Sequence, residues 1–102
     1  MVTHIVLLKI REDIPPSRVD EAFGALADLR TKIPGLLSFA GGAYSSEEGL
    51  HKGFNHGFVM TFADAAARDA YLFHPEHENI KSRLVPLLQG ALDGVIAFDF
   101  SN

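Results

Sequence analysis

The chain has 102 residues, a formal net charge of −4 and no cysteine. That length supports a single domain over residues 1–102 with one core, and 13 acidic residues against 9 lysines and arginines, with no basic run, offer a nucleic-acid backbone nothing to bind. No apolar stretch approaches the ~20 residues of a membrane span, and the lack of cysteine excludes disulfides, a thiolate nucleophile and a cysteine-based zinc site.

Val2 to Ile10 reads as a strand with His4, Val6, Leu8 and Ile10 on one face and Ile5, Leu7 and Lys9 on the other. It shows no basic leader and no small-residue cleavage site, so the cytoplasm is the expected compartment. Pro15-Pro16-Ser17 stops that strand, and Ser17 with Asp20 resembles a helix-opening capping box. A helix is expected from about Arg18, with Val19, Ala22, Phe23, Leu26, Leu29 and Ile33 as its apolar stripe, ended by Pro34-Gly35. Leu36 to Tyr44 reads as a second strand in which Gly41-Gly42 marks a bulge or a close backbone approach.

A polar loop leads to a third strand from Asn55, which sets His56, Phe58, Met60 and Phe62 on one face. Asp64 caps a short helix that must stop near His74, because the residue before Pro75 is disfavoured in helical geometry. Pro75 suits the first position of the next helix, whose stripe is His77, Ile80, Leu84, Leu87, Leu88 and Ala91. Pro86 should kink or divide that helix, and Gly94 to Phe100 closes the chain as a fourth strand.

Strand, helix, strand, strand, short helix, helix, strand is the order of an α+β, ferredoxin-like sandwich: a four-stranded antiparallel sheet with helices on one face. The other face would show Ile5, Leu7 and Val59, more apolar surface than a monomer usually exposes, so a back-to-back homodimer is expected. The chemistry-bearing residues cluster around Pro75, where Tyr71, His74 and His77 fall together, while His4 and His56 open strands and share a face with apolar neighbours.

Three stretches together resemble the stress-responsive A/B barrel (Dabb) family of the dimeric α+β barrel superfamily: His4-Ile-Val-Leu-Leu-Lys9, Gly53-Phe-Asn-His56-Gly-Phe-Val-Met-Thr61-Phe62, and Ala70-Tyr71-Leu-Phe-His74-Pro75-Glu-His77 with the closing Phe98-Asp99-Phe100. The resemblance covers nearly the whole chain and implies a dimer in which two four-stranded sheets close a barrel. It does not imply one activity. Family members include stress proteins without known chemistry, bacterial proteins without an assigned role, and a plant polyketide cyclase. That cyclase has a tyrosine and a histidine placed as Tyr71 and His77, and pocket histidines matching His4 and His56. Departures lie at Gly41, where the family often has an aromatic residue, in the helix presenting Ala22, Phe23 and Leu26, and in an extended last helix carrying Pro86.

The leading expectation is a pocket between sheet and helices, in each subunit, that binds a small apolar carbonyl compound, walled by His4, Val6, Leu8, Phe23, Leu26, His56, Phe58 and Leu84. In a cyclase- or aldolase-like enzyme, His77 would abstract a proton α to a carbonyl and Tyr71 would hydrogen-bond the enolate, with no cofactor. In a non-catalytic stress or assembly dimer, the same side chains would pack, with His74 and His77 bracing the Pro75 junction. His74-x-x-His77 has too little support from other spaced ligands for a transition-metal site, so no metal is expected there.

Overall fold

In the computed structural model, which describes residues 1–102, strands β1 (Val2–Leu8), β2 (Leu36–Ala43), β3 (His56–Phe62) and β4 (Val95–Ser101) form one antiparallel sheet in the order β2-β3-β1-β4. Helices α1 (Pro16–Asp28), α2 (Ala65–Leu72) and α3 (Pro75–Leu84) cover one face. This is the expected α+β, ferredoxin-like arrangement. Alternation along the strands decides which side chains meet the helices. Val2, His4, Val6 and Leu8 of β1 and Phe58, Met60 and Phe62 of β3 are buried on the inner face. Val19, Ala22, Leu26, Leu29 and Ile33 close over them from α1 and the turn after it. No helix is long and apolar enough to cross a membrane.

The outer face is apolar and uncovered. Leu7, Ile96, Phe98 and Phe100 are exposed there, flanked by half-buried Ile5 and Val59. Phe98 stands opposite Ile5, and Ile96 opposite Leu7, so the patch runs across two adjacent strands.

Local structure departs from the sequence reading at three places. Helix α1 opens at Pro16, with Pro15 as its cap and no side-chain capping bond, so Ser17 lies inside the first turn. A proline at the first helical position already has the helical φ and lacks the N–H that a cap would satisfy. At the other end of the chain, Pro86 does more than kink. The α-helix ends at Leu84, Val85–Leu87 forms a 3-10 turn, Leu88 bridges to Ile10, and Ala91–Gly94 forms a second 3-10 turn. The last helix is therefore not extended, and Ala91 is exposed at φ 53 instead of continuing the buried stripe. A proline removes one helical donor and its ring crowds the preceding turn, which suffices to end so short a helix.

The third departure concerns β2, whose register breaks between Leu36 and Ser38, not at the glycines. Gly41 serves close approach: a Cβ there would sit 2.8 Å from Phe58 Cβ and 2.9 Å from a ring carbon of Phe23.

Candidate functional site

The strand α2 leaves and the helix α3 enters are separated by a tight junction, and that junction builds the site. Asp64 caps α2 by accepting from the Ala67 N–H at 2.8 Å. His74 caps α3, its Nδ1 accepting from the Glu76 N–H at 3.0 Å, and Pro75 takes the first helical position. The two helices so joined bring Tyr71 and His77 together, with ring centroids 4.5 Å apart. Tyr71 is only 1% exposed and also lies edge-on to His4 at 5.9 Å and against Phe62 at 5.2 Å.

Beside these rings is a cavity of about 220 Å³, with thirteen hydrophobic residues among the sixteen that line it. This is smaller than the roughly 300–1,000 Å³ of sites for drug-sized ligands. His4, Val6 and Leu8 form its floor with Phe58, while Leu26, Tyr71, His77, Ile80 and Leu84 come from the helices. Of the residues expected to meet at a pocket, His4, Val6, Leu8, Leu26, Phe58, Tyr71, His77 and Leu84 line this cavity. Phe23 and His56 do not. They sit at the far end of the sheet, with ring centroids 6.1 Å apart. His56 pairs with Leu8 whereas His4 pairs with Met60, so sharing a sheet face does not bring the two imidazoles together.

Two polar residues at the site were missed by reading the sequence. Asp99, on β4, faces inward opposite His4 and accepts from His4 Nδ1 at 2.6 Å. Arg68, on α2, donates to the other carboxylate oxygen at 2.9 Å. The signal was present in the alternation of β4: Phe98 and Phe100 point outward, which forces the acid between them onto the apolar inner face. Burial alone would raise the Asp99 carboxyl, but hydrogen bonds from His4 and Arg68 outweigh it and hold the group below its ordinary range.

These bonds fix the remaining nitrogens. His77 Nδ1 lies 3.1 Å from the Leu72 carbonyl, so in the neutral ring the hydrogen is on Nδ1 and the lone pair on Nε2. Asp99 likewise holds His4 by its Nδ1. Neither Nε2, nor the Tyr71 hydroxyl, has a protein partner, and none is sealed off, since the one fully buried side-chain polar atom without a partner is His51 Nδ1. Desolvation lowers the His77 pKa, assisted by Lys81 and His4. Desolvation, with the Asp99 charge adding to it, pushes the Tyr71 phenol well up. At neutral pH the site therefore pairs an unprotonated imidazole with a phenol that keeps its proton. Both His74 and His77 spend Nδ1 on the helix junction, and no three His, Asp or Glu side chains converge as a metal-ligand group.

A ferredoxin-like fold carrying a histidine- and tyrosine-tipped apolar cavity under its helices defines a class of small α+β proteins, and the sequence places the chain within it. Residues 2–102 match the stress responsive A/B barrel domain, and the chain belongs to that family. It is 29% identical over 99 residues to the stress-response A/B barrel domain-containing protein HS1 of Arabidopsis thaliana, covering 97% of this chain and 87% of that protein. Over 76 residues it is 25% identical to olivetolic acid cyclase of Cannabis sativa, covering 74% of this chain and 75% of the cyclase. A crystal structure of a dimeric ferredoxin-like protein of unknown function from Jannaschia sp. CCS1 superposes with a TM-score of 0.89 at 32% identity, covering 99% of this chain and 98% of that one.

Proposed function

We propose that the chain acts as a homodimer in which each subunit binds a small, largely apolar carbonyl compound in the cavity between sheet and helices. The observation that carries this reading is an apolar chamber whose few free polar groups, His4 Nε2, His77 Nε2 and the Tyr71 hydroxyl, gather at one end. Such a site buries a hydrocarbon body and orients one oxygen. The dimer follows from the uncovered outer face of Leu7, Ile96, Phe98 and Phe100, and the dimeric neighbour of 32% identity supports it. The cysteine-free chain suits a reducing compartment, and the proposal sets the dimer in the cytoplasm.

A second reading is favoured by the protonation states. A neutral His77 can take the proton α to a bound carbonyl on Nε2, while Tyr71, still protonated, donates to the oxygen on which charge develops. The resulting enolate carbon could then attack a second carbonyl of the same molecule, forming the carbon–carbon bond of an intramolecular aldol step. Likeness to olivetolic acid cyclase is consistent with that chemistry. The cavity is open, which counts against a purely packed, structural role for these rings.

The experiment is proton NMR of small ketones in deuterated buffer with and without the protein. Saturation transfer to the ketone is expected, and its loss in Tyr71→Phe together with His77→Ala ties it to this cavity. Accelerated exchange of the α-hydrogens, abolished by His77→Ala, supports the catalytic reading; binding without accelerated exchange removes it. No saturation transfer to any ketone overturns the proposal, and a monomer by light scattering at micromolar concentration overturns its dimeric part.

A further inference from the structure

On α3, His77, Ile80, Lys81 and Leu84 recur at the spacing of a single helix face, and all four line the cavity. Three of them fit a chamber for an apolar carbonyl compound; Lys81 does not. Its ammonium takes part in no ion pair, although Lys32, Arg11 and Arg68 all find carboxylates. Exposure shows where it stands. His4, Tyr71 and Ile80 are buried, whereas Lys81, Leu92 and Ala97 are exposed, so these three mark the mouth between α3, the Ala91–Gly94 turn and β4. The chamber thus has a hydrogen-bonding inner end, apolar walls and a lone cation at its opening, about one helical turn from His77.

We propose that Lys81 is a specificity-determining residue and that the ligand is a keto acid: a carbonyl at the inner end, an apolar chain along the walls, and a carboxylate at the mouth. This rests on the reading of the cavity as a carbonyl-binding site. A carboxylate fits better than a phosphate because no arginine lines the cavity, and one ammonium does not supply the several donors a phosphate group takes. A cation at the mouth also resolves how so apolar a site selects a ligand. Apolar walls accept any body of suitable size, and a fixed charge discriminates between bodies that carry its opposite and those that do not. Its stem can lie along Leu84 and Val85 while the charged head stays in water until a ligand arrives.

The test compares 7-oxooctanoate with its methyl ester, which keeps the ketone and chain and removes the charge, by calorimetric titration of the intact protein. The expected result is about tenfold tighter binding of the acid at low ionic strength, shrinking as salt rises. In Lys81→Met the acid-to-ester ratio should fall to about one, and Lys81→Arg should restore most of it. Ester and acid binding equally well to the wild type, or a preference for the acid that survives Lys81→Met, would overturn this proposal and leave the carbonyl-binding reading standing. Binding of neither ligand would overturn both. Lys81 is exposed, so a folding failure is not expected, and circular dichroism of each variant verifies this.

Discussion

The inner face of the sheet carries a histidine near each end of the β1–β3 pair, and the two have been given different work. His4, opposite Met60, and His56, opposite Leu8, are four residues apart along β1, about 13 Å. At the His56 end, Asn55 accepts from the Ile10 N–H and donates to the Ile10 carbonyl, at 2.9 and 2.8 Å, and the same side-chain oxygen meets His56 Nδ1. That cluster clips a loop to the end of β1, and Phe23 packs over it. At the His4 end, a charged carboxylate held by Arg68 fixes the imidazole, and its other edge faces a cavity. The difference lies in the cover. Gly41 lets Phe23 and Phe58 close down on the His56 end, while the Pro75 junction holds α2 and α3 apart over His4.

Breaking the cover at the His4 end should have the largest effect. Tyr71→Ala removes a ring that is 1% exposed and packs on His4, Phe62 and His77, and a loss of about 3–5 kcal/mol is expected in urea denaturation. Tyr71→Phe should stay within about 1 kcal/mol of the wild type, since the hydroxyl holds no protein partner and the ring volume is kept. A large loss in Tyr71→Phe would mean that the hydroxyl is structural, and the two ends would then be alike.

A matched pair of polar substitutions separates the ends more finely. Asp99→Asn weakens two charge-assisted bonds, to His4 and Arg68, and should cost about 2 kcal/mol. Asn55→Ala removes the clip on Ile10 and should cost about 1–2 kcal/mol. Stability alone would not tell them apart, but ketone binding by NMR should. Binding weakens in Asp99→Asn, because His4 loses its fixed orientation, and persists in Asn55→Ala, whose surroundings do not touch the cavity.

Much of this was legible in the residues. Alternation in β1 and β3 placed the inner-face histidines, and Pro75 after His74 located the helix junction that brings Tyr71 to His77. What escaped was pairing across the sheet. Asp99 looks like an ordinary charge in a closing strand until the register sets it against His4, and register depends on tertiary packing that periodicity does not contain. The same gap joined His56 to the cavity: face is a local property of a strand, whereas position along the sheet depends on how its neighbours slide. Pro86 announced a break, but its extent depended on Leu88 leaving the helix to bridge Ile10, a contact made with the far end of the chain.

The smallest effect is a pH dependence that the two histidines should share in stability and divide in function. Desolvation lowers the pKa of both His56 and His77 in the fold. Each therefore binds its proton more readily unfolded, and stability is full above the ordinary histidine pKa near 6.5 and declines as pH falls through the lower folded values. His56→Gln and His77→Gln should each flatten the fall in midpoint urea concentration between pH 7 and 5. Ligand affinity should follow only one of them. Protonating His77 puts a cation at the inner end of the cavity and removes its lone pair, so affinity for a ketone should change over this range in the wild type and in His56→Gln, and become flat in His77→Gln. If His56→Gln flattened the binding profile as well, the two ends would be coupled, and the 13 Å along the strands would not insulate one from the other.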